Sequence, residues 1–172
     1  MTVDDLVSRC EAALRGDGLF GLLRTLNATT SYRFTGIYRF EGDWVRSVWL
    51  YDRAYPDVRL GSDVRWDASY CRVAATGGGV CEIVNSLEDD RLLTHAAREV
   101  VQAYLAVVLR GMDFTALGTL CHYDLAPRVT PPGALQGLRA VTAIVERALR
   151  AELEPLASRV GAADLSRSTL SR

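Results

Sequence analysis

The spacing of apolar residues along the chain predicts helices at both ends. Near the N-terminus apolar positions recur every three or four residues, which predicts a helix over Val3 to Arg15. Gly16-Asp17-Gly18 ends that helix, and a second amphipathic segment follows it. The leucines of this segment share one face: Leu19, Leu22, Leu23 and Leu26. A long apolar stripe after Pro131 and Pro132 predicts a last helix over about Ala134 to Val160.

Between these helices the pattern changes to the alternation of β-strands. Residues 32–40 and 44–51 alternate on either side of Glu41-Gly42-Asp43 and predict a hairpin. The apolar run Val100 to Arg110 is typical of a central strand covered on both faces, and it turns back into a strand over Ala116 to Tyr123. The weaker predictions are a loop over 53–67, a short helix over 69–73, a short strand over 81–84 and a polar helix over 87–98. Together they predict one α+β domain over residues 1–160, followed by a frayed polar tail over 161–172.

Composition excludes several classes of function. All 20 basic residues are arginine, so lysine Schiff-base chemistry and a lysine-dependent Walker-type phosphate loop are excluded. The net charge of -1 argues against a broad nucleic-acid or anionic-membrane surface. We expect a cytoplasmic protein because the chain shows neither a secretory-signal pattern nor an apolar run long enough for a membrane span. The four cysteines are therefore expected to be thiols.

Several short motifs occur in a specific order. Ser69-Tyr70-Cys71 is followed by Asp89-Asp90-Arg91, then by the strand Tyr104 to Leu109. Leu117-Gly-Thr-Leu-Cys-His-Tyr-Asp124 and Pro127-Arg128 complete the set. This set resembles the GAF family, small-ligand sensor domains of signalling proteins, over about residues 19–157. One departure from the family pattern is Val108, which stands where the family usually has proline.

The resemblance implies a GAF/PAS-like antiparallel sheet of about six strands with the terminal helices on one face. Loops and short helices on the other face would roof a pocket. It also implies a non-enzymatic sensor or interaction domain of a bacterial type, binding an unknown small molecule and dimerising through its first and last helices. No kinase, cyclase or DNA-binding module accompanies it, so we expect a stand-alone GAF protein or a fragment of a longer one.

The alternative function is enzymatic. Cys71 and Cys81, ten residues apart around a glycine turn, resemble the paired cysteines of free methionine-(R)-sulfoxide reductases, which are GAF enzymes. Such enzymes use a low-pKa thiolate and a resolving thiol. Their attacking cysteine, however, lies just before the central strand, where this chain has His95-Ala96-Ala97-Arg98. Buried structural thiols are therefore the favoured interpretation.

Other family ligands have weaker support. Cys121-His122 resembles the bilin-attaching pair of photoreceptor GAF domains but lies within a later strand, and His95 is the candidate for a haem ligand. The cyclic-nucleotide signature needs a lysine after Asn85, where this chain has Ser86. Two isolated histidines do not have the spacing of a zinc site, so we expect no cofactor and no metal.

Aromatic residues, thiols and one acid are the candidates for a ligand pocket. Rings with polar tips suit a small-molecule site, although alternating strand aromatics also build cores. The candidate pocket residues are Trp49, Tyr51, Tyr70, Cys71, Cys81, Asp90 and Tyr104.

Overall fold

The computed structural model of the protein describes the backbone of residues 1–168 and the side chains of residues 1–152. Six antiparallel strands form one sheet in the order β3-β2-β1-β6-β5-β4. The strands are β1 (Phe34–Glu41), β2 (Trp44–Asp52), β3 (Val64–Arg65), β4 (Val80–Ile83), β5 (Ala103–Arg110) and β6 (Ala116–Asp124). The helices are α1 (Val3–Asn27), α2 (Tyr70–Thr76) and α3 (Ala134–Ser168). The α+β class and the six-stranded antiparallel sheet are confirmed.

Helix α1 consists of two segments that meet at the predicted glycine break. Thr2 caps its N-terminus, where the hydroxyl accepts from the backbone N–H of Asp5 at 3.1 Å and the Asp5 carboxylate accepts from that of Thr2. Asp17 and Gly18 leave the helical conformation, and Gly18 has φ +61° and ψ -157°, a region open in practice to glycine alone. The break lets the leucines of residues 19–26 face the core, where they are fully buried.

The sheet separates two apolar layers, and strand β5 contributes to both. Leu105, Val107 and Leu109 pack with α1 and α3 on one face, whereas Tyr104 and Ala106 pack with α2 on the other. Strand residues point alternately to the two faces, so a strand with buried residues throughout must be covered on both. This confirms the prediction of a central strand covered on both sides.

The terminal helices lie on one face of the sheet and pack against each other. Leu6 of α1 comes within 3.0 Å of the position that a Cβ atom on Gly137 of α3 would occupy, so glycine permits this approach. Helix α3 continues to Ser168, past the predicted end at Val160. The predicted frayed tail is thus helical over residues 161–168, and its last four residues lie outside the described part. Within the described residues, no helix combines the length and the apolar character that a membrane span requires.

The prediction of a polar helix over residues 87–98 is wrong. The chain there forms two 3-10 turns, Ser86–Glu88 and Asp90–Leu92, followed by irregular turns. The side chains of Asn85 and Asp89 accept from the backbone N–H groups of the residues two positions later, at 3.1 and 3.0 Å. Such local bonds compete with continued helix formation, which explains the two short turns. The predicted loop over residues 53–67 also contains the short strand β3.

Candidate ligand-binding site

A cavity of about 520 Å³ lies on the sheet face opposite the terminal helices. Strands β1, β2, β5 and β6 form its floor, while β3, the start of α2 and the segment before β5 form its roof. Small-molecule sites in proteins have volumes of roughly 300–1,000 Å³, so this cavity has the size of a ligand site. Its lining residues are Phe34, Tyr38, Val45, Leu50, Gly61, Ser62, Val64, Ala68, Ser69, Tyr70, Cys71, Ala96, Ala97, Val100, Val101, Tyr104, Tyr123 and Leu125.

Three aromatic residues on adjacent strands build part of the floor. Phe34 of β1 and Tyr123 of β6 are register partners, and their rings stack with centroids 4.5 Å apart. The hydroxyl of Tyr38 lies 3.0 Å from that of Tyr123, within hydrogen-bond distance. Rings fixed by stacking and by a hydroxyl contact give a preorganised apolar surface with a polar point at one edge.

The Ser-x-Cys motif joins the roof of the cavity to its floor. The Ser69 hydroxyl caps α2 by accepting from the backbone N–H of Cys71 at 3.0 Å, which sets the thiol above the sheet. The Thr119 hydroxyl donates to the Cys71 sulfur at 3.1 Å, and the Tyr104 hydroxyl lies 3.2 Å from the same sulfur. Cys71 thus connects α2 with both β5 and β6, and this connection is a sufficient structural reason for the cysteine.

Among the side chains that the structure describes, no charged one lines the cavity. Burial raises the pKa of the Tyr38, Tyr104 and Tyr123 hydroxyls above the ordinary tyrosine value. These groups therefore stay neutral at physiological pH. A charged ligand group placed inside would lose its hydration without gaining a counter-charge, and that is costly. The cavity consequently suits an uncharged, largely apolar molecule or part of one.

Three of the four cysteine thiols lie in environments that keep them protonated. All four are buried and unpaired with one another. Burial raises the pKa of Cys81 to about 12 and that of Cys10 to about 11. Burial likewise raises the pKa of Cys121 well above its ordinary value. A reactive thiolate needs the opposite shift.

The structure brings three of the seven candidate pocket residues to the cavity: Tyr70, Cys71 and Tyr104. Trp49 and Tyr51 instead lie on the helix face of the sheet, where Phe20 of α1 packs against both rings at centroid distances of 6.4 and 5.8 Å. In β2 the residue between them, Leu50, faces the cavity. The alternation of the strand therefore excludes Trp49 and Tyr51 from this site.

The other two candidates also lie away from the lining. Cys81 of β4 is 3% exposed and belongs to the apolar layer around α2. Asp90 is exposed and begins a 3-10 turn. Sequence reasoning missed Phe34, Tyr38 and Tyr123. Tyr123 stands opposite Phe34 on one side and Tyr104 on the other, so the pairing of β1, β6 and β5 is the signal that places Phe34 and Tyr123 beside Tyr104.

The structure also shows where the candidate cofactor-binding residues lie. Cys121 is fully buried in the layer around α2, while His122 points to the other face of the sheet. Burial, with a further contribution from Arg53, lowers the pKa of His122 to about 3. His95 is half-buried, with its ring centroid 4.6 Å from that of Tyr70. Within the described residues, no group of three or more His, Cys, Asp or Glu side chains is arranged to hold a metal ion.

Comparison with known proteins places the fold. No protein-family model and no curated protein sequence matches the chain. Among solved structures, the GAF domain of an Acinetobacter phosphoenolpyruvate-protein phosphotransferase has a TM-score of 0.71 at 11% identity, over 92% of this chain and 99% of that one. A free methionine-R-sulfoxide reductase from Neisseria meningitidis, solved with its substrate, has a TM-score of 0.68 at 13% identity, over 89% and 91%.

A third similar structure binds a pigment. The phycocyanobilin-bound GAF domain of a cyanobacterial phytochrome has a TM-score of 0.66 at 13% identity, over 90% of this chain and 97% of that one. The matches thus span a phosphotransferase domain, an enzyme and a photoreceptor, and identities this low carry information on the fold alone. With the sheet order, the helix layer and the roofed cavity described above, they show that this chain has the GAF-domain fold.

Proposed function

We propose that the protein is a non-enzymatic sensor that binds a small, largely apolar molecule in the cavity. The observation that carries this proposal is the cavity itself, which has the volume of a ligand site and, over residues 1–152, no charged side chain in its lining. Small-molecule sites are mostly apolar and carry a few polar groups that set orientation. Here the Tyr38–Tyr123 hydroxyl pair and Ser69 can take that role.

The position of the cavity supports sensing because both apolar layers share the same strands. Tyr104 of β5 and Tyr123 of β6 line the cavity, whereas their neighbours Leu105 and His122 face the terminal helices. A ligand that shifts either strand must therefore also shift the packing of α1 and α3. Densely packed interiors transmit displacements of this kind.

Reductase activity, the alternative function, has less support from the geometry. Free methionine sulfoxide carries both an ammonium and a carboxylate, and the described lining of the cavity offers no side chain of opposite charge to either. Cys81 lies outside the lining, and its raised pKa keeps the thiol protonated. Cys71 does line the cavity, but its sulfur is hydrogen-bonded within the fold.

A native mass spectrum of protein purified from its own host tests the sensor proposal directly. We expect an added mass corresponding to an uncharged or singly ionised organic molecule that fits 520 Å³. The matched control is Ala97→Phe, which places a phenyl ring at a half-buried position of the lining. An adduct that persists in this variant, or one that is zwitterionic and reduced on incubation with a dithiol, would contradict the proposal.

We further propose that the sensor is a homodimer joined through its terminal helices. Helix α3 has 35 residues, or ~52 Å at 1.5 Å per residue. Six strands at roughly 4.8 Å each span only about 29 Å. Helix α1 covers the N-terminal part of α3, so the excess length lies at the other end. A two-fold partner supplying the same helices would cover it.

Light scattering after size exclusion tests the dimer. We expect about twice the chain mass of 18.9 kDa at micromolar concentration. Leu156→Glu introduces a charge into the apolar stripe predicted from the sequence, and it should halve that mass while leaving the melting temperature of the sheet domain nearly unchanged. A wild-type mass equal to one chain would exclude this dimer.

A further inference from the structure

A second space adjoins the cavity on its roof side. This cleft has a volume of about 550 Å³ and lies between α2, the segment after β3 and the turns before β5. Ala68 and Ala96 line both spaces, so cleft and cavity meet at two small side chains. A single elongated molecule that passes these two residues would contact both spaces.

The cleft differs from the cavity in charge. Three arginines line it against one aspartate. Arg65 lies 3.8 Å from Asp67, and the Arg91 guanidinium donates to the Asp89 carboxylate at 2.9 Å, so these two cations are partly compensated. Arg72 is exposed and forms no ion pair or side-chain hydrogen bond with any described residue. Its positive charge is therefore available to an anion from outside the chain.

We propose that the ligand of the cavity is amphipathic, with an uncharged apolar body in the cavity and one anionic group on Arg72 in the cleft. This inference rests on the proposed sensor function and narrows its ligand to apolar organic acids. The two spaces impose opposite requirements on a ligand. A charge inside the cavity would be uncompensated, whereas the arginine-lined cleft favours an anionic group. Guanidinium groups bind carboxylates and related oxyanions through charge-assisted hydrogen bonds.

Two fluorescent probes separate the apolar requirement from the anionic one. N-phenyl-1-naphthylamine is neutral, and 8-anilino-1-naphthalenesulfonate carries a sulfonate on the same ring system. We expect both to bind wild-type protein, the sulfonate probe about tenfold more tightly because it gains one charge-assisted contact. This advantage should decrease with added salt, since Arg72 is solvent-exposed.

Variants test whether Arg72 is the cause of the tighter binding of the sulfonate probe. Arg72→Gln should make the two probes bind alike, and Arg72→Lys should retain part of the difference. Arg24→Gln is the matched control because it removes an equal charge from an exposed position on α1, on the opposite side of the sheet. Ala97→Phe should weaken both probes, and circular dichroism with thermal melting confirms that each variant folds.

The outcomes separate this inference from the function on which it rests. Failure of the neutral probe to bind, or binding that Ala97→Phe leaves unchanged, would overturn the sensor proposal together with the amphipathic ligand. If the neutral probe binds but the sulfonate has no advantage, or keeps its advantage in Arg72→Gln, the anionic group is refuted and the apolar cavity stands. Weakening of the sulfonate probe by Arg24→Gln to the same extent would also refute it.

Discussion

His122 should make the stability of the fold depend on pH between about pH 6.5 and pH 3. Its side chain is 1% exposed and stacks on Tyr32 with ring centroids 5.7 Å apart. The Thr35 hydroxyl oxygen accepts from the Asn27 amide at 2.8 Å and lies 2.7 Å from Nδ1 of His122. The ring is therefore held by a buried hydrogen bond to Thr35, whose donor depends on the tautomer of the imidazole. Burial and the Arg53 charge lower the pKa of His122 to about 3.

The size of this pH effect follows from the difference in proton binding between the folded and the unfolded chain. A histidine with a pKa of about 3 when folded and about 6.5 when unfolded binds a proton more readily in the unfolded chain. Its contribution to stability is complete above the unfolded pKa and is lost as pH falls towards the folded pKa. Between about pH 7.5 and pH 4.5, the free energy of unfolding should decrease by about 3 kcal/mol from this group alone. The pKa of Asp52, a paired carboxylate, is also lowered, and the stability that such groups provide is lost mainly below this pH range.

Urea unfolding at a series of pH values measures the effect. We compare wild-type protein with His122→Asn, whose side-chain amide can still hydrogen-bond to Thr35 but does not titrate. The variant should have lower stability at neutral pH, owing to the lost ring, and a clearly smaller change on acidification. His95→Asn is the control for the other histidine. Equal pH slopes in wild type and His122→Asn would refute the reasoning, as would an NMR titration of the wild-type His122 ring above about pH 5.

Three other predictions test the thiols, the cofactor assignment and the helix break. Cys71→Ala and Cys81→Ala should remain folded, and wild-type protein should not reduce free methionine sulfoxide with a dithiol donor; turnover that either change abolishes would show an enzyme. Freshly purified protein should show no absorption band at wavelengths longer than the aromatic band at roughly 280 nm, and a Soret or bilin band would contradict this expectation. Gly18→Ala should destabilise the fold by about 1–3 kcal/mol because of its backbone conformation, as measured by thermal unfolding. Its matched control, Gly16→Ala, lies in the helical part of α1 with open space around it and should be neutral or stabilising.

Sequence patterns predicted the elements well where one physical signal dominated. The glycine break at residues 16–18, both hairpins and the central strand have such signals, since backbone freedom and alternation act locally. The segment 87–98 had no dominant signal. Its composition permits a helix, but Asn85 and Asp89 offer the backbone competing hydrogen bonds, and these formed instead.

The candidate site was harder to predict because its residues come together only through strand pairing. Trp49 and Tyr51 are aromatic, as a pocket wall requires, but which face of β2 they occupy depends on register. The register shifts between Ile37 and Tyr38 of β1, where β2 has the extra residue Val48, so counting along one strand does not carry across the hairpin. Pocket residues contributed by five strands, helix α2 and the segments that connect them therefore follow from the topology of the sheet. The resemblance to a known family supplied that topology, whereas the face of each aromatic residue required the structure.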